Sequence, residues 1–275
     1  MRLSVVRPAP DLAGFVAGYC LIDDPAGALD ARLLRAAPQT GACLCLQLGD
    51  DVDTDFRDRR PRLSYAGIQP HVRIYRPAGK ARSVVILLSA LGSITFLPSC
   101  GRMLFGEGVD AGALLGDGAV WRLRDAASAA DNETEVVGTI DAWLRLRFAQ
   151  RAVRASDRRL ASAMTMLSGG SFGIDTVAAR LELSPRQLER NFIEHLGAPP
   201  KTFQQIVRVA ASVQATLSGD RDPLDGYADQ AHQIRSWRTF LGVTPGQMKS
   251  AGPSEMATKF LAESRKLPAE WAHYL

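Results

Sequence analysis

The sequence predicts an α+β protein in two parts: a small antiparallel β domain with helices over residues 1–152 and an all-α domain over residues 153–252, followed by a helical tail at 253–275. Three observations predict it. Short apolar runs in the first hundred residues are separated by Gly, Pro and Asp at strand-length intervals. From residue 133 onward apolar side chains recur instead at i, i+3, i+4 and i+7, the helical period. Charge is also uneven: residues 1–150 carry 17 basic and 17 acidic side chains, residues 151–252 carry 13 and 9, and residues 253–275 carry 3 and 3, so the whole net charge of +4 falls in one helical segment. A basic helical unit behind a neutral one fits a nucleic-acid-binding module on a domain that does not bind nucleic acid.

In the β part the candidate strands are Phe15–Ile22, Cys43–Leu48, Leu63–Ile68, Val72–Tyr75 and Val84–Ser89, punctuated by Pro25, Gly27, Gly49, Gly67, Pro70 and Pro77-Ala78-Gly79. All four cysteines (Cys20, Cys43, Cys45, Cys100) lie here, without the C-x-x-C spacing of a zinc ribbon or a thioredoxin-like site. Cys43 and Cys45 alternate on one strand, so both point to one face about 7 Å apart, a poor distance for a disulfide. Buried, inert thiols are the simpler reading and a thiol or metal sensor the alternative. A metal-dependent enzyme would need clustered histidines, and His71 is the only one before His195. It reads as a surface or satisfied core residue. Tyr65, Tyr75, Arg73 and Arg76 offer either recognition of an acidic or aromatic effector or, for the alternating arginines, a solvated strand face.

The longest apolar run, Val84 to Leu91, is broken by Ser89 and falls short of the roughly 20 residues of a membrane span. The apolar stretch before Arg7 and Pro8 is too short for a signal-peptide core. A cytoplasmic protein without a membrane partner is expected. No nucleophile elbow, phosphate loop or two-carboxylate constellation is present in the sequence, so neither an enzyme nor a cofactor is expected.

Helices begin with Glu133 to Phe148, where Val136, Val137, Ile140, Trp143, Leu144 and Phe148 form one stripe. The polar, basic stretch 149–156 marks the domain boundary. Leu160, Ala163, Met164 and Leu167 form the next helix, ended by Gly169-Gly170; Ile174, Val177, Ala178 and Leu181 form a short one. Ser184 then offers an N-cap and Pro185 suits the first helical position, with Leu188 and Phe192 inward and a stop at Gly197. Two short helices joined at Glu182-Leu183 make a helix-turn-helix candidate. Its second helix turns Arg186, Gln187, Glu189 and Arg190 outward, types that can bond guanine, adenine and cytosine edges in a major groove. An ordinary αα-hairpin with a solvated face has the same spacing.

Downstream a long helix from about Thr202 to Leu217, with Phe203, Ile206, Val207, Ala210 and Val213 inward, leads to a second constellation beginning at Gly226. There Asp229 can cap a helix whose apolar side is Ala231, Ile234, Trp237 and Leu241. Gln230, His232, Arg235 and Arg238 are left outward. Gly242 ends it and Thr244-Pro245 starts another turn. In the tail Ser254 is a candidate cap, and Phe260, Leu261, Leu267, Trp271 and Tyr274 are too apolar for a free end, so the tail is expected to pack as a helix on the body or on a partner subunit.

Gly-Tyr-x-Asp-Gln-x-His-x-x-Arg-x-Trp-Arg followed by Gly-x-Thr-Pro-x-Gln resembles the C-terminal signature of the AraC/XylS family of transcription regulators, and Leu-Ser-Pro-Arg-Gln-Leu-Glu-Arg-x-Phe is similar to that family's first module. The resemblance covers roughly residues 158–250, with a looser match at Val6 to Tyr19. It implies a seven-helix unit with two helix-turn-helix motifs bridged by one long helix, Arg186, Glu189 and Arg190 contacting bases from the first, and Gln230, Ala231, His232 and Arg235 on the matching face of the second. It implies a cupin-like N-terminal barrel, double-stranded DNA as partner, and a small-molecule effector, RNA polymerase and a second copy of the chain as further candidates. The pattern breaks between the long helix and Gly226, where eight residues with Gly219 and Pro223 cannot hold the second motif's first helix. Gln233 also stands where the family has an aromatic core residue. The expected function is therefore a sequence-specific transcription regulator; the alternative is a degenerate regulator that acts as a protein–protein interaction module without operator binding.

Overall fold

The computed structural model describes residues 1–50, 52–54, 61–98 and 100–264. Its strands are β1 (Arg2–Val6), β2 (Val16–Asp24), β3 (Leu34–Ala36), β4 (Cys43–Gln47), β5 (Val52–Thr54), β6 (Leu63–Ala66), β7 (Arg73–Pro77), β8 (Ala81–Leu88) and β9 (Gly108–Asp110). They form a six-stranded sheet in the order β1-β2-β8-β4-β6-β9 and a three-stranded sheet in the order β3-β7-β5, with antiparallel pairing throughout the described ladders. The five anticipated strands exist with ends moved by at most three residues. Four were not anticipated: β1, and the three-residue β3, β5 and β9, each shorter than two alternations and therefore invisible as a period.

Residues of the large sheet alternate between two covered faces, which is why β2 and β8 read as nearly continuous apolar runs. One face sends Tyr19, Leu21, Leu44, Leu46 and Ile86 into a core shared with Val120, Leu123, Val136, Ile140 and Leu144. Those last residues belong to helices not anticipated before residue 133, together with the long one that was: α1 (Ala90–Phe96), α2 (Gly101–Leu104), α3 (Ala111–Leu115), α4 (Asp117–Ser128) and α5 (Glu133–Ala149). In α5 the Asn132 side chain caps the Glu135 amide at 3.0 Å, and Asp141 accepts from the buried Tyr19 hydroxyl. The opposite face carries Cys20, Ile22, Cys43, Cys45, Val85 and Leu87 and looks across a cavity to the small sheet.

The helical part comprises α6 (Ala155–Ser168), α7 (Ile174–Arg180), α8 (Pro185–Leu196), α9 (Pro200–Ser218), α10 (Gln230–Leu241), α11 (Pro245–Ala251) and α12 (Glu255–Ser264). Its core gathers Leu160, Leu188, Phe192, Phe203, Ile206, Val213 and Trp237, and also takes in Ile68 and Ile94 from the first domain. α1 packs on α6 and α2 on α8. At the second contact Gly101 and Gly197 abut so closely that a Cβ on either would land inside the other's backbone. His71 is exposed and stacks on Phe240 of α10 at 6.2 Å. α12, capped by the Ser254 hydroxyl at 3.1 Å, leaves the helical domain and buries Met256 and Phe260 against Leu3 and Val5 of β1. The tail thus packs on its own chain over 255–264. Leu267, Trp271 and Tyr274 lie outside the described residues. Among the described residues no helix is long and apolar enough to cross a membrane.

Candidate nucleic-acid interface

The first motif is built by local signals. α7 ends in a turn where Glu182 adopts a positive φ of 56°, and Leu183 returns its amide to the Ala178 carbonyl at 2.9 Å. Ser184 then starts α8 through a reciprocal capping box: the Gln187 amide donates to the Ser184 hydroxyl at 3.2 Å, and the Ser184 amide donates to Gln187 Oε1 at 2.8 Å. Leu188 and Phe192 are fully buried, and the αL glycine Gly197 terminates the helix with its amide on the Ile193 carbonyl. What remains outward is Arg186, Gln187, Glu189 and Arg190, all exposed. No ion pair or side-chain hydrogen bond holds Arg186, Glu189 or Arg190 among the described residues. Gln187 is different, because its oxygen is committed to the cap and only its NH2 end remains for a ligand.

α9 joins the two halves over 19 residues, about 28 Å of helix. Its inward side holds Phe203, Ile206, Val209, Ala210, Ser212 and Val213; Val207, expected inside, is only half-buried, and Val209 takes its place. Residues 219–229 hold turns and no helix, so the second motif has a recognition helix, α10, without its usual predecessor. Asp229 caps α10 through the His232 amide at 2.6 Å, and Gly242 closes it. Gln230, Ala231 and Arg235 are exposed. His232 is half-buried against Tyr227, ring centroids 5.4 Å apart. The expected apolar side of α10 needs correction: Ala231 is exposed and Ile234 half-buried, while the buried face is Gln233, Trp237, Phe240 and Leu241.

Gln233 explains the rotation and holds in place the loop that stands where the helix is missing. Its Nε2 donates to the Ser212 hydroxyl at 3.1 Å and to the Pro223 carbonyl at 2.7 Å. Trp237 Nε1 donates to the same Ser212 oxygen at 3.0 Å, and Ser212 donates to Pro223 at 2.6 Å. This network pins the 219–229 loop onto α9 and α10, where a helix would have supplied apolar packing. Ser212 and Pro223 were not identified from the sequence; the available signal was a polar residue at an inward position of α9. The loop carboxylates are also partly occupied: Asp220 pairs with the Ser218 hydroxyl, and Asp222 accepts from the Leu224 amide at 2.9 Å.

Two helix pairs or their remnants, each presenting a capped, polar, partly arginine-bearing second helix and joined by one long helix, define a helix-turn-helix protein. Residues 177–251 match the helix-turn-helix domain family model. No curated protein sequence matches the chain. Among solved structures, ToxT from Vibrio cholerae is similar over 83% of this chain and 97% of its own, at 8% identity and a TM-score of 0.46. ToxT bound to an unsaturated fatty acid is similar over 83% and 93%, at 9% and 0.43. The AraC-like transcriptional activator CuxR is similar over 69% and 79%, at 16% and 0.23.

Among the described residues no group of His, Cys, Asp and Glu is placed to hold a metal ion. Of the residues singled out in the β part, Tyr65 is buried and stacked on Phe96 at 5.7 Å. Arg76 is exposed, in keeping with a solvated face, whereas Arg73 and Tyr75 line the cavity between the sheets.

Proposed function

We propose that the protein is a sequence-specific transcription regulator that reads double-stranded DNA mainly through the N-terminal half of α8, under control of a small molecule held by the N-terminal domain. The observation that carries this is the cap-fixed N-terminus of α8 with Arg186, Glu189 and Arg190 exposed and uncommitted on one face. Arginine there can bond a guanine edge bidentately, an interaction worth about 1–3 kcal/mol of discrimination. α10 contributes through Gln230 and Arg235, with His232 partly drawn into packing on Tyr227. A second copy of the chain and RNA polymerase are further candidate partners of such a regulator, and no catalytic step enters the reading.

The test is a footprint on the DNA flanking the protein's own gene, with competitor DNA at two salt concentrations. A protected site that weakens with salt supports the proposal, and a short protected stretch supports the dominance of α8. Arg190→Ala should lower specific affinity by about tenfold or more, with a smaller effect from Arg235→Ala. Little loss for Arg190→Ala beside a large loss for Arg235→Ala overturns the assignment. The loop in place of the second motif's first helix favours one rival, a degenerate regulator that serves as an interaction module. A folded protein whose DNA binding is wholly removed by competitor would support it.

A further inference from the structure

The cavity between the two sheets has a volume of about 80 Å3. Its walls are Cys20, Cys43, Cys45, Val85 and Leu87 of the large sheet, faced by Tyr75 of the small one. Two acceptor atoms of its lining have no partner: the side-chain oxygens of Gln69 and Gln47 are buried without a hydrogen bond. Gln69 is 2% exposed, and its Nε2 donates to the Glu107 carbonyl at 2.8 Å, which settles which end of the amide is the acceptor. A buried acceptor without a donor is destabilising and calls for an N–H or O–H from elsewhere. Among the described residues no carboxylate lines the cavity, and the charged Arg73 has its Nη1 on the Gly106 carbonyl at 3.0 Å.

One wall residue, Phe260, comes from the far end of the chain. It enters from α12, whose Glu263 accepts from the Val5 amide at 3.4 Å and whose Lys259 donates to the Met1 carbonyl at 2.6 Å. The sheet walls are locked by backbone ladders. Among the described residues α12 is held by one buried apolar stripe and polar side-chain contacts, including an exposed Glu255–Arg32 pair at 3.8 Å, and it pairs with no strand, so it can withdraw without breaking a ladder. We propose that this cavity is a ligand site for a small, uncharged, largely apolar molecule bearing an N–H or O–H donor, and that α12 is its lid, displaced when the ligand takes the space of Phe260. The proposal rests on the regulator reading only in treating the N-terminal domain as the sensing part. Residues 252–254 alone join α12 to α11, so lid movement pulls on the second recognition unit.

Indole, its donor-free isostere indene, and indole-2-carboxylate serve as probes of the full-length protein by titration calorimetry, with hydrogen exchange read over residues 255–264. Indole should bind about tenfold tighter than indene, as expected for one hydrogen bond to a buried acceptor. Gln69→Leu should bring the pair together without weakening indene, and Phe260→Ala should tighten both. Exchange over 255–264 should accelerate at saturating indole. Equal affinities for indole and indene, no binding of either, or preference for the carboxylate overturns the ligand assignment; unchanged or slower exchange overturns the lid. If Gln69→Leu does not fold, the wild-type comparison of indole with indene decides alone. DNA is absent from every arm, so indole binding without a footprint ends the regulator reading and keeps the site, and a footprint without indole binding does the reverse.

Discussion

Replacing Ser212 by alanine should destabilise the helical domain through one atom. The hydroxyl accepts from Trp237 Nε1 at 3.0 Å and from Gln233 at 3.1 Å while donating to Pro223 at 2.6 Å. Without it Gln233 keeps the Pro223 carbonyl and Pro223 keeps Gln233, but the Trp237 donor, on a residue with 0% exposure, has nowhere to go. An orphaned buried donor costs about 1–3 kcal/mol, so a loss of about 2 kcal/mol is expected. In urea that moves the midpoint by roughly 0.7–1 M for a slope of about 2–3 kcal/mol/M, read by tryptophan fluorescence. The sharper measurement is a double-mutant cycle with Trp237→Phe, which removes the donor itself. The phenylalanine change has its own packing cost, yet Ser212→Ala should be much less harmful in that background, giving a coupling of about 1–2 kcal/mol. Additive effects, or a Ser212→Ala cost below about 0.5 kcal/mol, would refute the claim that this hydroxyl organises the loop that stands in for the missing helix.

Two further outcomes follow from the packing. Gly101→Ala forces a Cβ into the backbone at His195 to Gly197, so thermal unfolding should begin several degrees lower, with an overpacking penalty of about 1–3 kcal/mol; a variant that melts like the parent would show that the domain contact is loose. Burial pushes the Cys20 and Cys45 thiols up to about 12 and that of Cys43 to about 11, so the reactive thiolate is scarce at pH 8. Iodoacetamide should modify these three more than about a hundredfold more slowly in the folded than in the urea-unfolded protein. Rapid labelling of the folded chain would revive a thiol-sensing role.

The helix-turn-helix unit was legible because its signals are local. Ser184-Pro185, Gly197, Asp229, Gly242 and Thr244-Pro245 each act within one turn of their own helix, and the structure uses all of them as caps. The face of α10 was misplaced because the apolarity of Ala231 and Ile234 marked them as inward, although the family resemblance set Gln233 at a core position. Gln233 is buried only because Ser212 and Pro223, 21 and 10 residues away, meet its amide, a tertiary arrangement with no trace in the period of α10 itself. Elements such as β3, α2 and β9 were lost for the opposite reason, since three or four residues contain fewer than two repeats of the pattern that identifies them. The base-reading candidates Arg186, Glu189 and Arg190 came from outward positions on a well-marked helix. Phe260 could be placed inside something from its apolarity, but its destination in the wall of a cavity formed near the other terminus depended on the whole fold.

The meeting of Gly101 with Gly197 bears on how freely such a protein can be recombined. Most two-part regulators invite domain grafting, because a linker tolerates almost any neighbour. Here the carboxyl end of the first recognition helix is seated on the other domain with no side chain between the two backbones. A foreign sensor transplanted onto residues 155–252 would have to present a bare backbone at the same spot, and a foreign reader helix would have to end in a bare residue to meet it. The two glycines therefore behave as one inherited character: chimaeras that carry the pair together should assemble, and those that split it should not.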